Sequence, residues 1–98
     1  MWRQGDILFQ SIRALPNQAT RRADLVIAEG ERTGHQHRVA ESGTAELFEL
    51  DGELFMNVKA PSATVVHNEH KPIVFKTGVY RVWKQREYSP EQNFFVED

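Results

Sequence analysis

The chain has 98 residues, of which 40% are hydrophobic and 27% charged, and its formal net charge is −2 at pH 7. These values predict one globular domain over residues 1–98 and exclude an intrinsically disordered chain. Because the net charge is slightly negative, the chain lacks the overall basic excess of a dedicated nucleic-acid-binding protein. Because the sequence contains no cysteine, disulfides and thiolate metal sites are excluded as well.

Short apolar stretches separated by turn residues predict strands along the chain. In the first half, strands are predicted at residues 7–9, 25–28 and 35–40, with a loop over 11–24 and a polar turn over 31–34.

The second half begins with the best hairpin signal, Asp51-Gly52, between strands at 45–50 and 53–58. A strand is predicted at 63–67, then a hairpin of 72–75 and 79–88 around Thr77-Gly78, and one helical turn at 89–92. The predicted fold is therefore all-β, a small antiparallel barrel or sandwich.

The four histidines fall in two tight clusters, His35-Gln36-His37 and His67-Asn68-Glu69-His70. Side chains two apart on a strand share a face, so His35 and His37 are predicted to point into one space. A turn after the strand that ends near His67 would bring His67 and His70 together. The four imidazoles are the predicted working site.

Imidazole is a ligand for zinc, iron, nickel and copper, and carboxylates commonly complete such sites. Glu41 and Glu69 are the carboxylates close to the clusters in sequence. The first hypothesis is a divalent metal site (zinc, iron, manganese or nickel) that supports hydrolytic or oxygenase chemistry.

The segment from Gly30 through His35-Gln-His37 to Glu41 resembles the first motif of the cupins, in which Gly precedes His-x-His and Glu follows after three residues. The resemblance implies a small cupin-like β-barrel with His35, His37 and Glu41 as metal ligands. No second cupin motif follows, so a further ligand is expected from His67 or His70. Over residues 28–88 the sequence also resembles small uncharacterised bacterial proteins, which supply no function.

The second hypothesis is a metal-independent ribonuclease or phosphoesterase. Histidine has a pKa near neutrality, so one cluster would act as general base and the other as general acid. Arg38 and Lys71 lie beside the histidines in sequence and would stabilise the phosphorane. The catalytic candidates are therefore His35, His37, His67, His70, Arg38 and Lys71.

The third hypothesis is a non-enzymatic binding module. The aromatic and basic stretch over 79–88 has the residue types of a surface for single-stranded nucleic acid, although Val79 and Trp83 are more readily interpreted as core. Expected partners are a small-molecule substrate or RNA, and a second copy of the chain in a homodimer.

No apolar run is long enough for a membrane span or signal peptide. The expected location is therefore the cytoplasm.

Overall fold

A computed structural model describes residues 1–30 and 34–85. These ranges form eight β-strands and no helix: β1 (Trp2–Gln4), β2 (Ile7–Ile12), β3 (Thr20–Arg21), β4 (Val26–Glu29), β5 (Gln36–Val39), β6 (Ala45–Leu50), β7 (Glu53–Val66) and β8 (Ile73–Lys84). The all-β prediction is confirmed. Within the described residues, no helix is long and apolar enough to cross a membrane.

All strand pairs are antiparallel and belong to one sheet. Its main path runs β1-β2-β8-β7-β5-β4, and β6 joins β7 and carries β3 on its other side. The path ends at β1 and β4, so within the described part of the chain the sheet is not closed. β7 is the central element, because β8 lies along one edge while β6 and β5 share the other.

The hairpin prediction at Asp51-Gly52 is confirmed. Both residues have positive φ, 52° and 80°, and the flanking strands pair as β6 and β7 from Leu50↔Glu53 to Ala45↔Val58. A two-residue turn with two positive φ angles has the twist that an antiparallel pair requires.

The prediction of a hairpin at Thr77-Gly78 is wrong, because β8 runs through both residues without turning. Gly78 pairs with Val58 and Lys76 with Ser62, so three residues of β7 face one residue of β8. The Thr-Gly pair therefore accommodates a bulge that bends a long hairpin. The predicted strands at 53–58 and 63–67 are the two halves of one strand, β7, separated by this bulge.

The main core lies on one face of the bent sheet and draws residues from β2, β4, β5, β6, β7 and β8. Phe9 and Phe75 are among its largest fully buried side chains. Leu8 and Trp83, which pair across β2 and β8, form a second small buried cluster. The preference for Trp83 as a core residue is confirmed, whereas Arg86, Tyr88 and the helical turn at 89–92 lie outside the described residues.

Candidate functional site

The histidines meet at one end of the sheet, where three chain connections lie together. The β1–β2 turn contributes Asp6, the end of β4 contributes Glu29, the β4–β5 connection contributes Gly30 and His35, and the β7–β8 connection contributes residues 67–70. They surround a cavity of about 290 Å³. Its lining residues are Asp6, Glu29, Gly30, His35, His37, His67, Glu69 and His70. The four histidines of the two sequence clusters thus line one cavity.

The imidazole rings are close packed. The centroid of the His67 ring lies 4.3 Å from that of His37, 4.7 Å from that of His70 and 5.8 Å from that of His35. His37 and His70 are nearly parallel, with centroids 6.2 Å apart. His67 is thus the central ring of the cluster.

His37 is the buried member, at 3% exposure. It lies in β5 with Val39 on the inward face, while Gln36 and Arg38 alternate outward. Burial lowers the pKa of His37 to about 4, and the positive charge that a protonated His67 would carry is the second cause. The ring is therefore neutral at pH 7, with one nitrogen lone pair available.

The other histidines lie nearer the surface. Burial and a charged His70 would lower the pKa of His67 below its ordinary value. His35 Nδ1 is buried without a hydrogen-bond partner among the described residues, and Glu69 Oε1 lies 3.8 Å from it. His70 is exposed and lies against Gly5 of the β1–β2 turn.

Two glycines make room for two of the histidines. Gly5 has φ of +60°, and a Cβ built there would lie 2.8 Å from His70 Nε2. A Cβ on Gly30 would lie 2.9 Å from the carbonyl oxygen of His35, which accepts a 2.6 Å hydrogen bond from the Gly30 amide. Any side chain at either position would therefore displace an imidazole or its backbone.

The connection that carries His67 and His70 is tied to the other strands. Asn68 Oδ1 accepts a hydrogen bond from the Gln36 amide of β5 at 3.2 Å. The carbonyl oxygen of Lys71 accepts one from Gln4 Nε2 of β1 at 2.9 Å. The second histidine cluster is thus held by strands that precede it by more than thirty residues in the sequence.

Three of the sequence candidates lie elsewhere. Glu41 does not line the cavity, because its two carboxylate oxygens accept hydrogen bonds from the Thr64 amide and hydroxyl at 2.8 and 2.7 Å. These bonds lower the pKa of Glu41 below its ordinary value. Arg38 and Lys71 are exposed and do not line the cavity either.

Sequence reasoning missed three polar residues of the site: Gln4, Asp6 and Glu29. Gln4 is only 2% exposed, and no sequence pattern predicts a buried amide next to a turn. Asp6 and Glu29 each stand beside a glycine at the end of a strand. A polar residue next to a turn glycine is the sequence signal that could have identified Asp6 and Glu29, but many surface turns share this signal.

A known protein family covers most of the chain. One family model matches residues 3–85. The chain belongs to the family described as a domain of unknown function, DUF8820. The matched DUF8820 segment contains all four histidines, Gln4 and every residue that lines the cavity. No curated protein and no solved structure matches the chain.

Gly30→Ala is expected to move His35. The added Cβ would meet backbone atoms that cannot rotate away, so we expect a loss of about 1–3 kcal/mol in the free energy of unfolding. Urea unfolding measures that loss, and ¹H–¹⁵N correlation spectra of the imidazoles report the displaced ring. Gly43→Ala is the control, since Gly43 has φ of +86° in open space. It should lose stability through backbone strain and leave the His35 signals unchanged, and unchanged His35 signals in Gly30→Ala would contradict the prediction.

Proposed function

We propose that the histidine cavity binds a divalent transition metal ion. The observation that carries the proposal is the composition of its lining: four imidazoles and three carboxylates, with no lysine or arginine among the described residues that line it. Imidazole nitrogens and carboxylate oxygens are ligands for a cation, and the three carboxylates oppose the binding of a phosphate. Zinc, iron and nickel accept this nitrogen and oxygen donor set.

The chemistry of the individual donors fits such an ion. The lowered pKa of His37 keeps its lone pair free of a proton at neutral pH, and a metal ion and a proton compete for the same lone pair. His35 Nδ1 is a buried donor atom with no described hydrogen-bond partner. His37, His35 and His70 would hold the ion, with a carboxylate from Asp6, Glu29 or Glu69.

The side chains do not yet stand at coordinating positions. Within the described residues, no group of three or more His, Asp or Glu side chains is arranged to hold a metal ion. The exposed side chains of His70, Glu29 and Glu69 are the ones with room to turn inward, whereas His37 is buried. Binding is therefore expected to order the exposed donors around His37.

An ion with an open coordination position supplies Lewis-acid activation of a water or substrate oxygen. Around it, the buried His37 excludes water from one side, while Asp6, Glu29 and Glu69 supply carboxylates able to accept a proton. This combination is compatible with the hydrolytic and oxygenase classes. The ribonuclease hypothesis is less well supported, since neither Arg38 nor Lys71 lines the cavity and three carboxylates would oppose a phosphodiester.

The test is metal binding by the full chain, purified without chelator and then depleted and titrated with Zn²⁺, Mn²⁺, Fe²⁺ or Ni²⁺. We expect close to one ion per chain for at least one of these metals, and none in the His35→Ala/His37→Ala variant. Elemental analysis and isothermal titration calorimetry measure both.

Glu41→Gln is the matched control, because Glu41 is bonded to Thr64 away from the cavity. We expect this variant to keep its metal. Loss of metal in Glu41→Gln would instead favour the ligand set that the cupin resemblance implies. A wild-type chain that takes up none of the four ions would refute the proposal.

A further inference from the structure

Gln4 is a buried amide whose polar groups are all used. Its Nε2 donates to the carbonyl oxygens of Val65, at 3.1 Å, and Lys71, at 2.9 Å. Its Oε1 lies 2.8 Å from His37 Nδ1. Gln4 thus connects β1, the end of β7 and the β7–β8 connection to one imidazole.

These contacts settle the orientation of the amide. Both partners of Nε2 are carbonyl oxygens, which only accept hydrogen bonds, so the NH₂ group must face them. A flipped amide would place Oε1 against two carbonyl oxygens and lose both bonds. The group that faces His37 is therefore an acceptor.

The tautomer of His37 follows. An acceptor opposite Nδ1 requires a proton on Nδ1, so neutral His37 carries its lone pair on Nε2. His67 has the opposite arrangement: its Nδ1 accepts a 3.0 Å hydrogen bond from the Glu69 backbone amide. Neutral His67 therefore carries its proton on Nε2. Two rings whose centroids are 4.3 Å apart are held in opposite tautomers by different partners.

We propose that Gln4 is the positioning residue that makes His37 Nε2 the fixed metal-ligating atom, and that His67 stays outside the coordination sphere as a hydrogen-bond donor. The hydrogen-bond donor on His67 narrows the class of ligand that the site would take. A ligand held beside the ion would present an uncharged acceptor oxygen, such as that of a carbonyl group, to His67 Nε2–H. The inference rests on the proposed metal site.

Gln4 would strengthen metal binding because it holds the His37 ring in the orientation that the ion requires. A metal-bound histidine usually donates its other ring N–H to a fixed acceptor, which selects the tautomer and the ring orientation. Loss of such a partner typically weakens metal binding 10- to 100-fold. Gln4 has this relation to His37, and its own orientation is set by two backbone carbonyls on different segments.

The experiment combines imidazole ¹⁵N NMR of the metal-free full chain with Zn²⁺ titration. The wild type is expected to show His37 protonated on Nδ1 and His67 on Nε2, and added Zn²⁺ should shift the ¹⁵N signal of His37 Nε2 while His67 keeps its tautomer. Gln4→Leu should leave His37 as a mixture of tautomers and weaken Zn²⁺ binding 10- to 100-fold. Gln4→Glu retains an acceptor for Nδ1–H and should keep the His37 tautomer, but it places an oxygen against the carbonyl oxygens of Val65 and Lys71, so its free energy of unfolding should fall.

Gln10→Leu is the control, since Gln10 is exposed on β2, and it should change neither readout. A wild-type His37 that carries its proton on Nε2 would overturn the inference, and this result needs no folded variant. So would Zn²⁺ binding that is unchanged in Gln4→Leu, which would leave the metal site itself standing. If the wild type shows the expected tautomers but binds no metal, the proposed metal site would be refuted, while Gln4 would still be the residue that orients His37.

Discussion

Lowering the pH from 7 to 4 is expected to remove up to about 3 kcal/mol of the unfolding free energy through His37 alone. The ordinary pKa of 6.5 applies to the unfolded chain, whereas burial lowers the pKa of His37 to about 4 in the folded state. Between these values the unfolded state binds a proton that the folded state does not. Stability from the neutral ring is therefore complete above pH 6.5 and is lost as the pH falls towards 4.

The measurement is urea unfolding of metal-free protein at a series of pH values, since bound metal would hide the effect. Carboxylates also titrate near pH 4, so the informative quantity is the difference between the wild type and His37→Gln. Glutamine keeps an N–H donor for Gln4 and removes the titrating ring. We expect the pH dependence between 6.5 and 4 to flatten in His37→Gln, with a smaller remainder from His67, whose pKa is lowered in the same direction. An equal slope in both proteins would contradict a buried, neutral His37.

The strands were predictable where local chemistry alone determines the structure. Asp51-Gly52 specifies a two-residue turn whatever surrounds it, and the prediction of β6 and of the start of β7 followed from it. Thr77-Gly78 has comparable local chemistry, yet it lies inside β8, because the long pairing with β7 outweighs the turn preference. Such pairing depends on residues about twenty positions away, which a local pattern does not contain.

The short strands β1 and β3 were not predicted for a related reason. β3 has two residues, both exposed, and is defined by its pairing with Phe48 and Glu49 of β6. β1 has three residues and is defined by its pairing with β2. Neither strand is long enough to show an alternation of apolar and polar residues that could be recognised from the sequence.

The candidate site was predictable in its histidines and not in its supporting residues. The two histidine clusters are conspicuous in the sequence, and both line the cavity, although His35 precedes β5 and only His37 lies on that strand. The role of Gln4 depends on carbonyl oxygens of Val65 and Lys71, which any sequence would supply. Backbone partners carry no side-chain signature, so only the folded structure identifies this amide as part of the site.

The aromatic cluster around Phe75 gives the largest expected effect of a single substitution. Phe75 is 1% exposed, and its ring centroid lies 4.7 Å from that of Phe9, 4.9 Å from that of Tyr80 and 5.4 Å from that of Trp2. Removing the ring leaves a cavity and loses its contacts, so Phe75→Ala should cost about 3–5 kcal/mol of unfolding free energy. Domains of this size have about 5–15 kcal/mol in total, and the variant is expected to unfold at much lower urea concentration.

The same substitution tests how β1 is held in place. Trp2 contacts both Phe75 and Tyr80 and lies two residues before Gln4, so loss of the Phe75 ring should increase hydrogen exchange of the β1 amides more than that of β6. Val74→Ala is the matched control, because Val74 is the neighbouring residue and is 61% exposed; it should change stability by no more than about 0.5 kcal/mol. A Phe75→Ala variant as stable as Val74→Ala would mean that the ring cluster does not hold β1 to β8. The hydrogen bond from His37 to Gln4 would then depend on the two carbonyl contacts of the amide alone.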